Sequence, residues 1–376
     1  MHFSGLCSPG TEKGSDEDDH VFHLFVRPKD PKTELWEGTR SGTQAALDVF
    51  NADETGDINQ VSRLLSPIVS SASKVYTNFS SEPKPKSFFS RFLSETSPKA
   101  EGLAKIFDSR SILPLKDIVH ELRNLKSDAE IANMRKVGQA SGRAYTDAMR
   151  QAWTSEKELA AFMDYKFKMN GCDGPAYIPV VAGGQNGSII HYTRNDLPLK
   201  EDQLVLVDAG GEYGGYITDI TRVWPISGTF NGAQKDLHNA VLATQRHCIS
   251  LCRANAAVSL DELHNIAEAD LKDQLKQLGF DMSGKAMDTL FPHHLSHYIG
   301  LDVHETPGQS RKTRLQARQC VAVEPGIYVP DTDNFPAHFR GLSVRIEDSV
   351  CVQDEHPLVL TTEAVKEIDD IEALRS

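Results

Sequence analysis

The stretch VDAGGEYGGYITDITR, residues 207–222, places acids where a buried strand ordinarily carries apolar side chains, and does so twice, at Asp208 and Asp219. It continues the short apolar run Gln203-Leu204-Val205-Leu206-Val207, and a second strand-like run spans Tyr216 to Trp224. Gly210, Gly211, Gly214 and Gly215 supply the backbone freedom for a reversal between the two. An antiparallel hairpin centred near Tyr213 would set Asp208 directly opposite Asp219 on one face, with Cβ atoms ~4.5–5.5 Å apart. A bulge would shift that register by one residue.

Two further acids close apolar strands. One run is Cys320-Val321-Ala322-Val323-Glu324, stopped by Pro325-Gly326, and the other is Leu342-Ser343-Val344-Arg345-Ile346-Glu347. Strand alternation sets Arg345 and Glu347 on one face of the second run and Leu342, Val344 and Ile346 on the other. Any of these acids alone reads most simply as a loop cap or the partner of a lysine. Four of them in one pocket would repel and raise one another's pKa values unless cations neutralise them. Two divalent ions balance four carboxylates.

A metal site also needs a neutral nitrogen donor, and FPHHLSHYIGLDVHE, residues 291–305, offers His293, His294, His297 and His304, with His191 upstream in SIIHYT. A lone histidine is ordinarily a hydrogen-bonded core or surface group. Four of the chain's 14 histidines within one short segment depart from that pattern, although the spacing does not say which one binds metal. Two hard cations ~3.5–4 Å apart, held by oxygens and one imidazole, would share a water and lower its pKa towards 7. With a polarised carbonyl and free histidines donating to the developing oxyanion, this is chemistry for hydrolysis. The oxygen-rich donor set favours Mn²⁺-like or Co²⁺-like ions without excluding Zn²⁺ or Fe²⁺.

The rest of the chain frames this site. Its 376 residues suffice for two domains, and 53 acidic against 40 basic side chains give −13. That charge argues against a nucleic-acid groove and against an anionic membrane surface. No apolar run reaches the ~18 residues that span a bilayer, and no targeting segment is legible at the N-terminus. Without a secretory signal the sequons at Asn78 and Asn186 carry little weight. Six cysteines, Cys7, Cys172, Cys248, Cys252, Cys320 and Cys351, lack CxxC spacing and read as reduced thiols of an intracellular protein.

In the first hundred residues an acidic turn at 16–19 precedes the strand-like VFHLFVRP (21–28) and PKDPK. Helices are expected around 41–50 and 57–70, and the Pro-, Ser- and Lys-rich segment 80–102 reads as a surface loop. Ser127 and Glu130 form a capping-box signature that opens a second domain. From there the order of elements repeats. A helix over 128–152 and another from Ser155 to Gly171 precede strands through Trp224; helices over 232–254 and from Ser259 to Gly279 precede strands through Val352. Ser155 to Ser259 is 104 residues and Gly171 to Gly279 is 108. The pattern predicts an α+β domain of two similar helix-helix-strand halves with a site where they meet.

VDAGGEYGGYITDITR, HHLSHYIGLDVHE, VEPGIYVP and GLSVRIEDSV resemble, in order and spacing, the signature segments of the pita-bread metallopeptidases. The resemblance is to the Xaa-Pro aminopeptidase (aminopeptidase P) branch and, within it, to the mitochondrial intermediate cleaving peptidase group. FHLFVRPKDPKTELWEGTRSG (22–42) is similar to that branch's N-terminal domain, so the likeness runs over roughly 21–365. It implies an incomplete α/β N-terminal domain at 1–120, with MHFSGLCSPG standing in for a Tyr-Leu-Thr-Gly-like segment and the early strands missing, and a pita-bread catalytic domain at 121–376. The resemblance makes Asp208, Asp219, His297, Glu324 and Glu347 the ligands of two divalent ions, Mn²⁺ by expectation, with Asp219 and Glu347 touching both. It implies that His191, His293 and His304 hold the substrate carbonyl and the tetrahedral intermediate, that Arg345 steadies the site, and that Glu324 shuttles a proton from water to the leaving amine. The implied substrate is a peptide or protein N-terminus, Xaa-Pro or a mitochondrial processing intermediate. A mitochondrial location and a homo-oligomer are compatible with the likeness; a nucleic-acid partner and a membrane span are not expected.

Three rivals share parts of this pattern. A prolidase-type dipeptidase uses the same ligands but requires a free C-terminus, and methionine aminopeptidase shares the five ligands without this N-terminal domain or the Gly341–Asp348 pattern. An inactive binding protein on the same fold would ordinarily lose ligands, and all five positions are intact here.

Overall fold

A computed structural model describes residues 4–9 as backbone and 20–77, 106, 107 and 112–375 in full. The acidic turn at 16–19, the segment 80–102, the Cys7 side chain and the Asn78 sequon lie outside the described residues. The chain divides into two compact units, Met1–Ile118 and Val119–Ser376.

In the first unit, β1 (Ser4–Pro9) and β2 (His20–Val26) pair antiparallel with Ser4 opposite Phe25. The opening segment expected to lack an early strand therefore supplies one. Helices α1 (Pro31–Glu37) and α2 (Gly42–Asp48) lead to β3 (Glu54–Asp57), which joins β2 in parallel, with Glu54 opposite His23. Helix α3 (Val61–Ser71) packs Val61, Leu65 and Val69, spaced by four, against Phe25, Val75 and Phe107. Strands β4 (Val75–Thr77) and β5 (Ile112–Pro114) pair in parallel. The strand expected over 21–28 is thus observed over 20–26, and α1 falls on the PKDPK region, where no helix was expected.

Helix α4 (Lys116–Asn124) precedes the two halves of the second unit. Helix α5 (Asp128–Met149) starts on the Ser127–Glu130 capping box, and α6 (Glu156–Met169) starts on Ser155. Strands β6 (Gly174–Pro175), β7 (Val180–Gly183), β8 (Leu204–Asp208), β9 (Gly211–Tyr213), β10 (Tyr216–Ile217) and β11 (Thr221–Pro225) follow in two sheets, β11-β8-β7 and β10-β9-β6. The second half repeats the plan with α7 (Gly232–Ser250) on an Asn231–Gln234 capping box and α8 (Leu260–Gln277) on Ser259–Glu262. After α9 (Ala286–Leu290) come β12 (Ser296–Tyr298), β13 (Cys320–Val323), β14 (Gly326–Tyr328), β15 (Ser343–Arg345), β16 (Asp348–Cys351) and β17 (Leu358–Val359), and the chain closes with α10 (Ile368–Ala373). Gly171 and Gly279, at φ +97° and +86°, follow the two corresponding helices, as a left-handed C-terminal stop requires.

Two contacts fix α5 against the strands. Gly138 and Gly142 let the helix backbone touch the C-terminal segment, where a Cβ on Gly138 would lie 2.3 Å from the Leu360 carbonyl oxygen. One turn further on, the buried Tyr145 hydroxyl lies 2.5 Å from the Ile220 carbonyl and 3.1 Å from that of Ala209, binding together the two strand ends that carry Asp219 and Asp208. The five described cysteines are buried and free. Among the described residues no helix is long and apolar enough to cross a membrane.

Candidate metal centre and active-site cleft

Asp208 ends β8 after four buried residues, Leu204 to Val207, so its carboxylate emerges where the sheet meets the cleft. The register differs from the expected one. Thr221, not Asp219, stands opposite Asp208, and regular pairing lapses over 218–220. The offset is two residues, so the side chains keep their face, and Asp219 becomes the diagonal rather than the direct neighbour of Asp208. At Gly210 a Cβ would sit 1.7 Å from the Thr218 carbonyl oxygen, so this crossing admits only glycine. Ser349 Oγ pins Asp219 by accepting from its N–H at 3.0 Å and donating to its carbonyl at 2.9 Å.

The second half brings the other groups to the same place. β12 carries His297 opposite Ala322 of β13, and Glu324 follows β13 directly. β15 ends at Arg345, and Glu347 lies two residues beyond it, its N–H donating to the Thr221 carbonyl of the first half at 3.1 Å. Val344 and Ile346 point into the core while Arg345 and Glu347 line the cleft. His297 Nε2 lies 3.5 Å from Asp219 Oδ2 and 3.6 Å from Glu324 Oε1. Its Nδ1 lies 3.1 Å from the Tyr298 carbonyl, so an Nδ1–H donor there leaves the Nε2 lone pair facing the acids. Ligand atoms of Asp219, His297 and Glu347 all fall within 4.8 Å of one another.

A cleft of about 540 Å³ is lined by all five of these groups and by His191, His293, His304 and Arg345. No lysine lines it among the described residues, so pairing with lysine does not account for the acids. Residues that the sequence reading missed complete the wall. The Tyr177 hydroxyl lies between Asp208 Oδ1, at 2.8 Å, and Asp219 Oδ1, its single proton shared by the two carboxylates. Thr221 Oγ1 donates to Glu347 Oε2 at 2.6 Å and accepts from Arg345 Nε at 3.0 Å. Arg345 also reaches Tyr328 OH at 2.8 Å and Asp208 Oδ2 at 2.5 Å. Thr221 and Tyr328 sit in alternating strands beside named acids, a signal that was available; Tyr177 lies in a loop with no periodicity to mark it.

His293 differs from the other two histidines. Its Nδ1 lies 2.9 Å from the His294 carbonyl and its Nε2 2.9 Å from Tyr328 OH, so both ring nitrogens are engaged within the protein. Among the described residues no hydrogen bond engages the ring of His191 or His304.

The electrostatics decide what the site can hold. Burial, then repulsion from Asp219, Glu324 and Asp208, drives the Glu347 carboxyl well above the usual range. Burial pushes Glu324 up to about 7, against the pull of His297 and Arg345, and pushes Asp208 up to about 6 despite the Arg345 guanidinium. Burial disfavours charge on His297 too, but the hydrogen bond to Asp219 and the charge of Glu324 raise it to about 9. Burial is the largest single influence on Asp219 and pushes it up, but the hydrogen bond and charge of His297, the Tyr177 hydroxyl and the Arg345 charge together hold it below the usual value. The protein alone thus cannot keep all four carboxylates ionised at neutral pH. Glu347 Oε1 is in addition buried with no hydrogen-bond partner. Cations of total charge about +4 would satisfy both conditions, and the carboxylate and imidazole donors suit divalent ions. The residues present therefore fit a metal centre.

Comparison with known proteins agrees. Residues 132–354 match Metallopeptidase family M24, and residues 4–76 match the aminopeptidase P N-terminal domain, so the likeness begins earlier than the 21–365 range read from the sequence. Intermediate cleaving peptidase 55 of Saccharomyces cerevisiae is 42% identical over 383 residues, covering 99% of this chain and 75% of that protein. Xaa-Pro aminopeptidase 3 of Homo sapiens is 35% identical over 366 residues, covering 95% and 71% respectively. The crystal structure of Icp55 from Saccharomyces cerevisiae matches with a TM-score of 0.88 at 41% identity, covering 95% of this chain and 82% of that one. With the pita-bread fold, the N-terminal domain and the acid-histidine cleft in agreement, the chain belongs to Metallopeptidase family M24 and is a metalloaminopeptidase of the aminopeptidase P type.

Proposed function

We propose that this protein removes the N-terminal residue from peptides whose second residue is proline or from mitochondrial processing intermediates, with two divalent ions, Mn²⁺ by preference, held by Asp208, Asp219, His297, Glu324 and Glu347. The observation that carries the reading is the buried cluster of carboxylates whose charges the protein does not itself compensate. The relatives' names supply the substrate classes, one an intermediate cleaving peptidase and one an Xaa-Pro aminopeptidase. A mitochondrial location is part of the proposal, supported by the name of a 33% identical Arabidopsis thaliana relative, Intermediate cleaving peptidase 55, mitochondrial.

Bound ions would neutralise the carboxylates, polarise the scissile carbonyl and acidify a water. The chain's own groups do the rest. Glu324, facing the cleft beside His297 and His293, takes the proton from the attacking water and returns it to the leaving amine. His304, kept neutral chiefly by burial, and His191 each offer a ring N–H to the oxygen that gains charge in the tetrahedral intermediate. His293 contributes by donating from Nδ1 to the same oxygen when it releases the His294 carbonyl, and otherwise by holding the Tyr328 hydroxyl that Arg345 touches. Arg345 fixes Asp208 and, through Thr221, the Glu347 carboxylate. Ile178, Ile190 and Val303 give the cleft an apolar side for the substrate's side chains.

The test is turnover of an Xaa-Pro tripeptide, an Xaa-Ala tripeptide, an Xaa-Pro dipeptide and a longer peptide with a processing-intermediate N-terminus, with Mn²⁺ and after chelation. Cleavage of the longer substrates only with metal supports the proposal; cleavage confined to the dipeptide makes the protein a prolidase.

A further inference from the structure

The cleft accounts for one group of buried acids; Glu156 lies outside it. Glu156 opens α6 just after the Ser155 N-cap, a position that in sequence reads as a solvent-exposed acid complementing a helix N-terminus. It is instead wholly buried. Its Oε1 accepts from Gly183 N–H at 2.9 Å and Asn186 Nδ2 at 3.0 Å, and its Oε2 from Tyr192 OH and Leu197 N–H, each at 2.9 Å. Its backbone N–H also donates to the Leu197 carbonyl at 2.9 Å.

The four donors all come from the segment 183–197 that joins β7 to β8. Beyond Gly183, which ends β7, and a 3₁₀ turn at Gly184–Ser188, that segment is neither helix nor strand, yet it carries Ile190, His191 and Thr193 to the cleft. The His191 ring is exposed and has no hydrogen bond among the described residues, so its position is set by its backbone alone. The backbone is fixed next door, where the Tyr192 side chain is buried with its hydroxyl on Glu156. A carboxylate satisfies two donors on each oxygen. An amide in the same place accepts on one side only and turns an N–H towards two donors on the other, leaving buried groups unpaired.

We infer that Glu156 is the positioning residue for His191, its carboxylate clamping the 183–197 segment at four points so that the imidazole meets the substrate carbonyl. This rests on the role of His191 stated under Proposed function, and the experiment separates the two. Glu156→Gln, Tyr192→Phe, His191→Ala and the two doubles carrying His191→Ala are assayed on an Xaa-Pro tripeptide with Mn²⁺, with metal content measured alongside. Glu158→Gln, at an exposed acid of the same turn, is the control and keeps its kcat.

Displacing a carbonyl-binding group by about 1 Å costs on the order of 10²-fold, so Glu156→Gln is expected to lower kcat by about that factor at nearly constant KM and unchanged metal content. Tyr192→Phe, which removes one donor, is expected to lower it by about 10-fold and serves if Glu156→Gln does not fold. In the His191→Ala background each further loss shrinks to about twofold or less, because the group being positioned is gone. If His191→Ala retains kcat, the role of His191 fails. If His191→Ala loses kcat while Glu156→Gln and Tyr192→Phe lower it by the same factor in both backgrounds, or leave it unchanged, the positioning role of Glu156 is overturned and that of His191 stands.

Discussion

Asp219 has Tyr177 and His297 on its carboxylate and both sides of its peptide group on Ser349, so its place is fixed before any ion binds. Asp219→Asn keeps this shape but removes the charge and substitutes an N–H for an acceptor facing His297. Activity on an Xaa-Pro peptide is expected to vanish and bound metal to fall, checked by elemental analysis of the purified variant; full turnover in Asp219→Asn would reject the ligand set. His304 stacks edge-on against His297 with ring centroids 4.6 Å apart but makes no bond to the acids. His304→Ala is therefore expected to lower kcat by about 10²–10³-fold with metal content intact, and loss of metal would make it a ligand instead. At this scale the sequence was informative where chemistry contradicted burial: an acid at the end of an apolar strand is conspicuous. Tyr177 was not, because a tyrosine in a loop contradicts nothing.

Elements were legible where local chemistry marks a boundary and illegible where it does not. Capping boxes at Ser127 and Ser259 and glycines at Gly171 and Gly279 locate four helix ends, while the helices expected to reach 152 and 254 stop at Met149 and Ser250. Helix α1 was missed although Asp30 caps it and Pro31 opens it, because Leu35 and Trp36 are exposed and no apolar stripe announces a helix. The hairpin register was wrong by two residues, an error that hydrophobic alternation cannot detect because an even slip preserves the face. Gly138 gives the test at this scale. Glycine to alanine in a helix interior ordinarily gains about 1 kcal/mol. Here the added methyl meets a backbone oxygen that cannot rotate away, and overpacking of about 1–3 kcal/mol outweighs the gain. Gly138→Ala should lower the urea midpoint, and a rise would show that the segment at Leu360 gives way.

For the whole molecule the cleft acts as a charge balance. Without ions, Asp208 and Glu324 titrate at about 6 and about 7, above their unfolded values, so between pH ~4 and ~7 the native chain holds protons that the unfolded chain has released. Their contribution to stability is present below the unfolded values and is lost as pH rises through that window. Chelated protein is therefore expected to lose thermal stability from about pH 5 to about pH 7 relative to metal-loaded protein. Melting curves of both forms across that range check it, and a constant difference would mean that ions do not replace protons at these acids.

The bond from Glu347 N–H to the Thr221 carbonyl ties the two similar halves together at the cleft itself, with Asp208 and Asp219 on one side and His297, Glu324 and Glu347 on the other. A polypeptide nicked in the turn between β11 and α7 would yield two pieces, each inert alone. Catalysis would return only upon reassembly, so the centre reports docking of the duplicated lobes and is silent on whether either has matured by itself.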